Sequence, residues 1–407
     1  MHKSDAAGIN NAGLSGTVEA GSRELNGAAD AEIAALVALR RDLHAHPELG
    51  FAEHRTAGIV AAFLSARGID VYRGIGKTGV VGVLRRGRGS GVIGLRADMD
   101  ALPMEDAGGQ PWKSQHPGRC HACGHDGHTV MLLGAADRLA READFDGTVI
   151  FIFQPAEEGL AGAKAMIDDG LFSRFPCDAV YAVHNWPELP LGSAQTRPGA
   201  IMAAADRFDI RVTGGGGHAA QPHLSPDTLL ATSELVVQLN TLIARAVDPC
   251  EPALLTVTRI QGGFSHNMIP AEADITGTVR TFNPGVQDII ERRLREMATH
   301  VTAAQGLNAE VSYQRYYPAT LNAAPEAQVA LRAAERAGLR VSVADKPALT
   351  SEDFSFMLQA VPGAYLWLGS AESRPLHHPA YDFNDALIPL GIRWFCEVVR
   401  DRLALKT

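Results

Sequence analysis

Apolar residues recur at helical spacing through "AEIAALVALRRDLHAHPELG", beginning at Asp30 and stopping at Gly50, and this predicts a first helix. The same period predicts a second helix over Glu53 to Arg67, ended by Gly68. Short β-branched runs follow, "GVVGVLRR" and "GVIGLRADMD", and a further helix is expected from about Gly127 in "GHTVMLLGAADRLARE". "GTVIFIFQPAEEG" and "DAVYAVHNWP" read as buried strands that run out into polar loops. Strands alternating with helices predict an α/β sheet covered on both faces.

Near Gln195 the pattern changes. "DRFDIRVTG" alternates as a half-exposed strand does, and "SPDTLLATSELVVQLNTLIARAV" is a long amphipathic helix with Ser225-Pro226 at its start. "ALLTVTRIQGG", "ADITGTVRTF" and "NAEVSYQRYY" read as three more strands, with the helix "PGVQDIIERRLREMATHVTAAQG" before the last of them. A sheet of about four strands and two helices therefore interrupts the α/β pattern, which resumes at Ala324 and includes the core strand "GAYLWLG". The fold class is α/β: a discontinuous catalytic domain, residues 29–194 and 317–407, with an inserted α+β domain over 195–316. Residues 1–28, rich in Gly, Ala, Ser and Asn, read as a flexible leader.

The chain has 407 residues, and single cores rarely grow beyond roughly 250–300 residues, so two domains fit. A net charge of −9 argues against nucleic acid and anionic lipid as partners, because both need clustered Lys and Arg. No apolar run approaches a secretory signal core or the ~20 residues of a membrane span. Five scattered cysteines suit reduced thiols better than a disulfide framework, which points to the cytoplasm.

Candidate chemistry concentrates in "HACGHDGHT", residues 121–129. A structural zinc clip needs four ligands, usually as two C-x-x-C knuckles, and the chain has no second knuckle to match Cys120 and Cys123. In an extended segment Cys123 and His125 would point the same way, leaving His121 and His128 to face elsewhere or to orient the ligands. Glu157 and Glu158 follow a buried strand, where α/β sheets place their sites. One can serve as metal ligand and the other as general base, although an isolated pair also fits an exposed acidic turn. His184 ends another apolar run, and His377 and His378 lie in a late polar loop. Asp98 and Asp100 in "LRADMDALP" suit orienting groups behind metal-bound histidines, extra ligands, or a turn before Pro103. His44 and His46 sit at a helix end and read as structural caps. "VTGGGGHAAQPH" lacks the tail of a phosphate-binding loop and reads as a tight turn presenting His218, while His223 and His266 stay unassigned.

"RRDLHAHPELGF", "RADMDALPM", "HACGHDGHT", "QPAEEG", "VHNWP", "GGGGHAAQPH", "HNMIPAEADITGTVRTF", "TSEDFSF" and "HHPAYDFND" together resemble, in order, the metal-dependent amidohydrolases that cleave N-acyl amino acids. That family includes hippurate hydrolases, auxin–amino-acid conjugate hydrolases and aminoacylase-like enzymes. The resemblance runs from about Ala31 to Leu403. It implies two divalent ions (Mn2+, Zn2+, Co2+ or Ni2+) held by Cys123, His125, Glu158, His184 and His377, with Glu157 as general base. It makes His377 the ligand and His378 its variable neighbour, and leaves the separate roles of Asp98 and Asp100 open. His218, Asn267 and Arg280 match positions that contact the substrate's carbonyl and carboxylate, on an inserted domain that acts as lid and dimerisation surface. The substrate implied is an N-acyl amino acid and the assembly a homodimer, with His218 serving either its own site or the neighbouring subunit's. A dipeptidase or N-acetyl amino acid deacetylase would use the same centre. A non-catalytic binding protein would have no need of Glu157.

Overall fold

The structure, a computed structural model, describes residues 16–142, 144–371 and 374–405, with side chains from Asp30 onward. The first helix spans Gly16–Ala45, longer than the apolar period alone indicates; the first fifteen residues of the expected leader lie outside the described residues.

The main domain is built on an eight-stranded mixed sheet. Its four central strands, Gly147–Gln154, Val92–Asp98, Ala179–Trp186 and Gly363–Gly369, lie side by side and parallel. Side-chain alternation assigns the two faces. Phe151, Leu95 and Tyr181 join one core, with the helices His54–Ser65, His125–Glu142, Ala324–Arg336 and Ile388–Arg402. Ile152, Val180 and Tyr365 join a second core against the shorter helices Gly162–Asp168 and Phe354–Ala360. Burial on both faces explains why these strands read as continuous apolar runs. Because the four strands are parallel, their C-terminal ends open on one edge, where a crevice forms.

Three strands escape the apolar pattern. Asp70–Ile75 is exposed along most of its length, and Ser193–Thr196 and Arg340–Val343 have four residues each. Segments so short or so exposed carry no readable alternation. They extend the sheet at its two edges.

The insert has its own antiparallel sheet, ordered Ala253–Gly262, Glu272–Thr281, Ala204–Thr213 and Asn308–Tyr317. Helices Thr228–Leu239 and Pro284–Ala303 cover one face around Phe208, Leu235, Ile275 and Leu294. Asp227 caps the first helix by accepting from the amides of Leu229 and Leu230, both at 3.0 Å. Asn283 caps the second, with Pro284 as its first residue.

Candidate metal centre

The residues singled out in the main domain converge on the C-terminal edge of the parallel strands. Asp98 ends one strand and Asp100 follows it, Glu157 and Glu158 follow the next, and His184 lies near the end of a third. Cys123 and His125 arrive from the long loop that enters the helix His125–Glu142. The segment between them is not extended: Gly124 has φ 92°, and a Cβ there would lie 2.5 Å from Asn185 Oδ1. That turn sends the two side chains to neighbouring clusters rather than along one line.

One cluster gathers Asp98, His125, His128 and His184, and a second Cys123, Glu158 and His377; Glu157 joins two more, with His125 and Glu158 and with Glu352 and Asp353, and within each the ligand atoms lie within 4.8 Å of one another. His184 Nε2 faces Cys123 Sγ at 3.4 Å, and Glu158 Oε1 lies 3.1 Å from His377 Nε2 and 4.0 Å from His125 Nε2. The Glu158 carboxylate therefore stands between the first two clusters. His377 reaches it from a left-handed turn, φ 63°, pinned by its amide to Ala122 O at 2.8 Å. His378 caps that turn instead, accepting from the amide of Ala380.

Each of two histidines has its Nδ1 secured and its Nε2 turned toward the other ligand candidates. His125 Nδ1 meets Asp100 Oδ1 at 3.2 Å, while its buried Nε2 has no hydrogen-bond partner. His184 Nδ1 meets the carbonyl of Asn185 at 2.8 Å, which turns Nε2 toward Cys123. Glu158 Oε1 is also buried without a hydrogen-bond partner, although it faces two imidazoles. Unsatisfied buried acceptors are costly, and a thiol, imidazoles and carboxylates are the donor set for divalent transition ions. The residues fit a metal centre.

His128 differs. Its Nδ1 is held by Asp98 at 2.7 Å and its Nε2 by Asn185 Oδ1 at 2.6 Å, so neither nitrogen is spare. It orients Asp98. Asp100 braces His125 and also accepts from the amide of Glu158 at 3.0 Å.

The carboxylates are electrostatically crowded. Burial, then Glu352, Glu158, Asp353 and Asp100, hold the Glu157 carboxyl well above the usual range. Burial opposes the charge on His125, but Asp98, Asp100 and Glu158 outweigh it and raise the imidazole to about 10. Burial keeps His184 neutral, well below its ordinary value, which suits a ligand nitrogen.

Sequence reasoning missed what holds this edge together. Arg96, fully buried, donates to Asp98 at 2.8 Å, Glu352 at 2.9 Å, Asp353 at 3.2 Å and Gln154 at 2.7 Å. Glu352 and Asp353 come from "TSEDF", whose role was not evident beforehand. The spacing of His128 after His125, one helical turn, was the available signal for its side of the helix. Ala156 and Ala161, flanking the two glutamates, are both left-handed, at φ 53° and 57°. Such strain costs about 1–3 kcal/mol per residue and persists only where neighbours over-determine it.

A cleft of about 690 Å³ runs along the centre, lined by Cys123, Glu157, Glu158, His184 and His377 and reaching Arg280 on the insert. Arg280 is half-buried, with no carboxylate partner among the described residues; it donates to Thr278 Oγ1 and to Val279 O. His218 and Asn267 do not line this cleft. His218 is exposed in a short ladder, Gly217–His218 against Met268–Ile269, and Asn267 is exposed beside it, accepting from Ser265 at 2.6 Å.

The model of peptidase family M20/M25/M40 matches residues 94–401. The chain belongs to this family. It is similar to a hippurate hydrolase of Campylobacter jejuni, 38% identical over 90% of this chain and 95% of that protein. It is also similar to an N-acetylcysteine deacetylase of Bacillus subtilis, 35% identical over 89% and 95%. Among solved structures, the YXEP protein of Bacillus subtilis, described as a dinuclear metal-binding peptidase, superposes with TM-score 0.83 at 33% identity, covering 92% of this chain and 99% of that one. As a family member the chain is a metal-dependent hydrolase of amide bonds, and its substrate is a small molecule. Among the described residues, no helix is long and apolar enough to cross a membrane.

Proposed function

We propose that the chain hydrolyses N-acyl amino acids, hippurate-like conjugates in particular, to a carboxylic acid and a free amino acid. Cys123, His125, Glu158, His184 and His377 would hold two divalent ions (manganese, zinc, cobalt or nickel). The chemistry such ions supply when bound is Lewis acidity toward water and toward a carbonyl oxygen. Glu157 lines the cleft, and its raised affinity for a proton suits a general base that takes a proton from water and returns it to the leaving amine. Arg280 faces the same cleft without an ion-pair partner, and its guanidinium fork matches the two oxygens of the substrate's carboxylate. Asn267 and His218 contact the scissile carbonyl, His218 at the oxygen that gains charge.

The observation that carries the choice of substrate is the cleft itself. At about 690 Å³, with Trp186, Met202, Tyr365 and Leu376 in its walls, it offers more apolar room than an acetyl group fills. This supports a bulky acyl group, and the assay separates it from N-acetyl deacetylation and dipeptide cleavage in the same cleft. Hippurate, N-acetylglycine and a glycyl dipeptide, assayed side by side on metal-reconstituted enzyme, provide the test. Hippurate is expected to have the highest kcat/KM, and a preference for either other substrate replaces this reading.

His218 lies outside the cleft of its own chain, which supports its use by a second copy. The edge strand Ala253–Gly262 and its surroundings expose Leu254, Ile260 and Phe264, the last 86% accessible, a surface suited to a homodimer. Mixing inactive His218→Ala with inactive Glu157→Gln subunits is expected to restore activity through dimers with one intact composite site; no restoration would mean action within one chain. The reduced cysteines support a cytoplasmic setting.

A further inference from the structure

The Glu157–Glu158 segment is held by four anchors, and three of them come from the main domain. Glu53, itself buried, accepts from the amide of Ala156 at 2.8 Å. Asp100 accepts from the amide of Glu158 at 3.0 Å, and the amide of Asp353 donates to Glu157 Oε1 at 3.3 Å. The fourth is Tyr317. Its hydroxyl donates to the main-chain carbonyl of Glu157 and accepts from the amide of Ala161 at 3.4 Å. It thus spans the segment between the two left-handed alanines.

Tyr317 is the last residue of the insert's edge strand Asn308–Tyr317, where it pairs with Ala205. Immediately afterwards Thr320–Asn322 pairs with Gly199–Met202. The chain therefore crosses between insert and main domain twice at this point, between Met202 and Ala204 and between Tyr317 and Thr320, so the insert's sheet occupies Ala204 to Tyr317 rather than the expected 195–316. A register shift between Arg315 and Tyr317 breaks the strand's alternation just before the crossing, and such irregularities re-aim side chains beside active sites. The ring is 6% exposed and meets Phe356 of the main domain edge-on, with centroids 6.1 Å apart.

We propose that Tyr317 is a positioning residue that ties the angle of the insert to the placement of the Glu157 carboxylate. The reaction reading above assigns Glu157 its proton transfer, and the proposal rests on it. Two crossing strands form a hinge, and Tyr317 stands on it with its backbone paired to the insert and its ring against Phe356, so turning the insert shifts the ring on that contact and the hydroxyl with it. The Tyr317 hydroxyl grips main chain rather than a side chain, so rotation of the insert is delivered to the backbone that carries both glutamates. When the insert closes over a substrate held by Arg280, the strained turn is drawn into its working geometry; when it opens, that constraint relaxes.

Tyr317→Phe keeps the ring and removes the hydroxyl. The expected result is a fall in kcat of about tenfold or more with KM within about twofold, the signature of an interaction made in the transition state. Metal content and thermal stability are expected to match wild type. Amide hydrogen exchange over residues 156–163 is expected to be faster in the variant without ligand. Adding a hippurate analogue with CH2 in place of the amide N–H is expected to slow that exchange in wild type and not in Tyr317→Phe. Unchanged kcat with wild-type exchange overturns the proposal, as does a fall in kcat that tracks lost metal or lost stability. Phe356→Leu is the packing control: if it reproduces both effects with the hydroxyl still present, the ring and not the hydroxyl is responsible. Retained turnover in Glu157→Gln would overturn the base assignment alone, because the exchange difference is read without turnover.

Discussion

His44 and His125 are both buried imidazoles beside carboxylates, and the adjacent residues His125 and Asp126 serve one network each. His44 Nδ1 meets Asp126 Oδ2 at 2.8 Å, and its Nε2 faces Asp106 Oδ2 at 3.6 Å and Gln110 Nε2 at 3.3 Å. Arg40 completes that network through Asp126, Asp382 and Asp385. His125 has its hydrogen bond on Nδ1 only; its buried Nε2 has no hydrogen-bond partner and faces Asp98 Oδ2 at 3.7 Å and Glu158 Oε1 at 4.0 Å. Burial opposes a charge on either ring, and in each the carboxylates prevail, to about 9 for His44 and about 10 for His125. Both places are built for a positive charge. At His44 a proton completes the pairing, whereas the free nitrogen at His125 is shaped for a metal ion. The difference between the two histidines is one hydrogen-bonded nitrogen.

The largest effect that could break this comparison is at the bare nitrogen. His125→Ala is expected to lose metal and to lower activity by more than the roughly 10–100-fold typical of groups behind a ligand. Elemental analysis finding wild-type metal in this variant would remove the distinction altogether. Asp100→Asn keeps the ligand and weakens its brace, so metal affinity should fall by about 10–100-fold, measured against a chelator buffer. An unchanged affinity would mean that the Nδ1 contact does not orient the ring.

A smaller effect sharpens the other side. His44 titrates near 9 in the folded chain against an ordinary 6.5, so its contribution to stability is fully present below pH 6.5 and is lost as pH rises toward 9. His44→Asn should therefore destabilise most at pH 6, by at most about 3 kcal/mol from this source, and by less at pH 9.5, with metal content unchanged. Denaturant titrations at the two pH values check it, and a pH-independent cost would show that His44 is neutral in the fold. The smallest effect is expected at the exposed pair Arg138–Glu142, on the helix that begins with His125. Arg138→Ala should cost no more than about 0.5 kcal/mol, which sets the scale for charge pairs left in water.

Much of this was legible beforehand because it is local. Alternation and helical spacing report which side of an element is buried, so the α/β layers, the interrupting α+β insert, the placement of Glu157 and Glu158 beyond a strand end and that of His184 near one were readable from the chain. So was the donor inventory, since a thiol, imidazoles and carboxylates are recognisable wherever they lie. The sequence by itself determined which groups were available and roughly which edge of the sheet they would reach. It did not determine which nitrogen of which histidine stayed free, because that depends on partners brought from far along the chain. Arg96 meets Glu352 across 256 positions, and Tyr317 meets Glu157 across 160. Only the folded arrangement decides those pairings: each buried donor takes the nearest acceptor that packing supplies, and the atoms left over become the site.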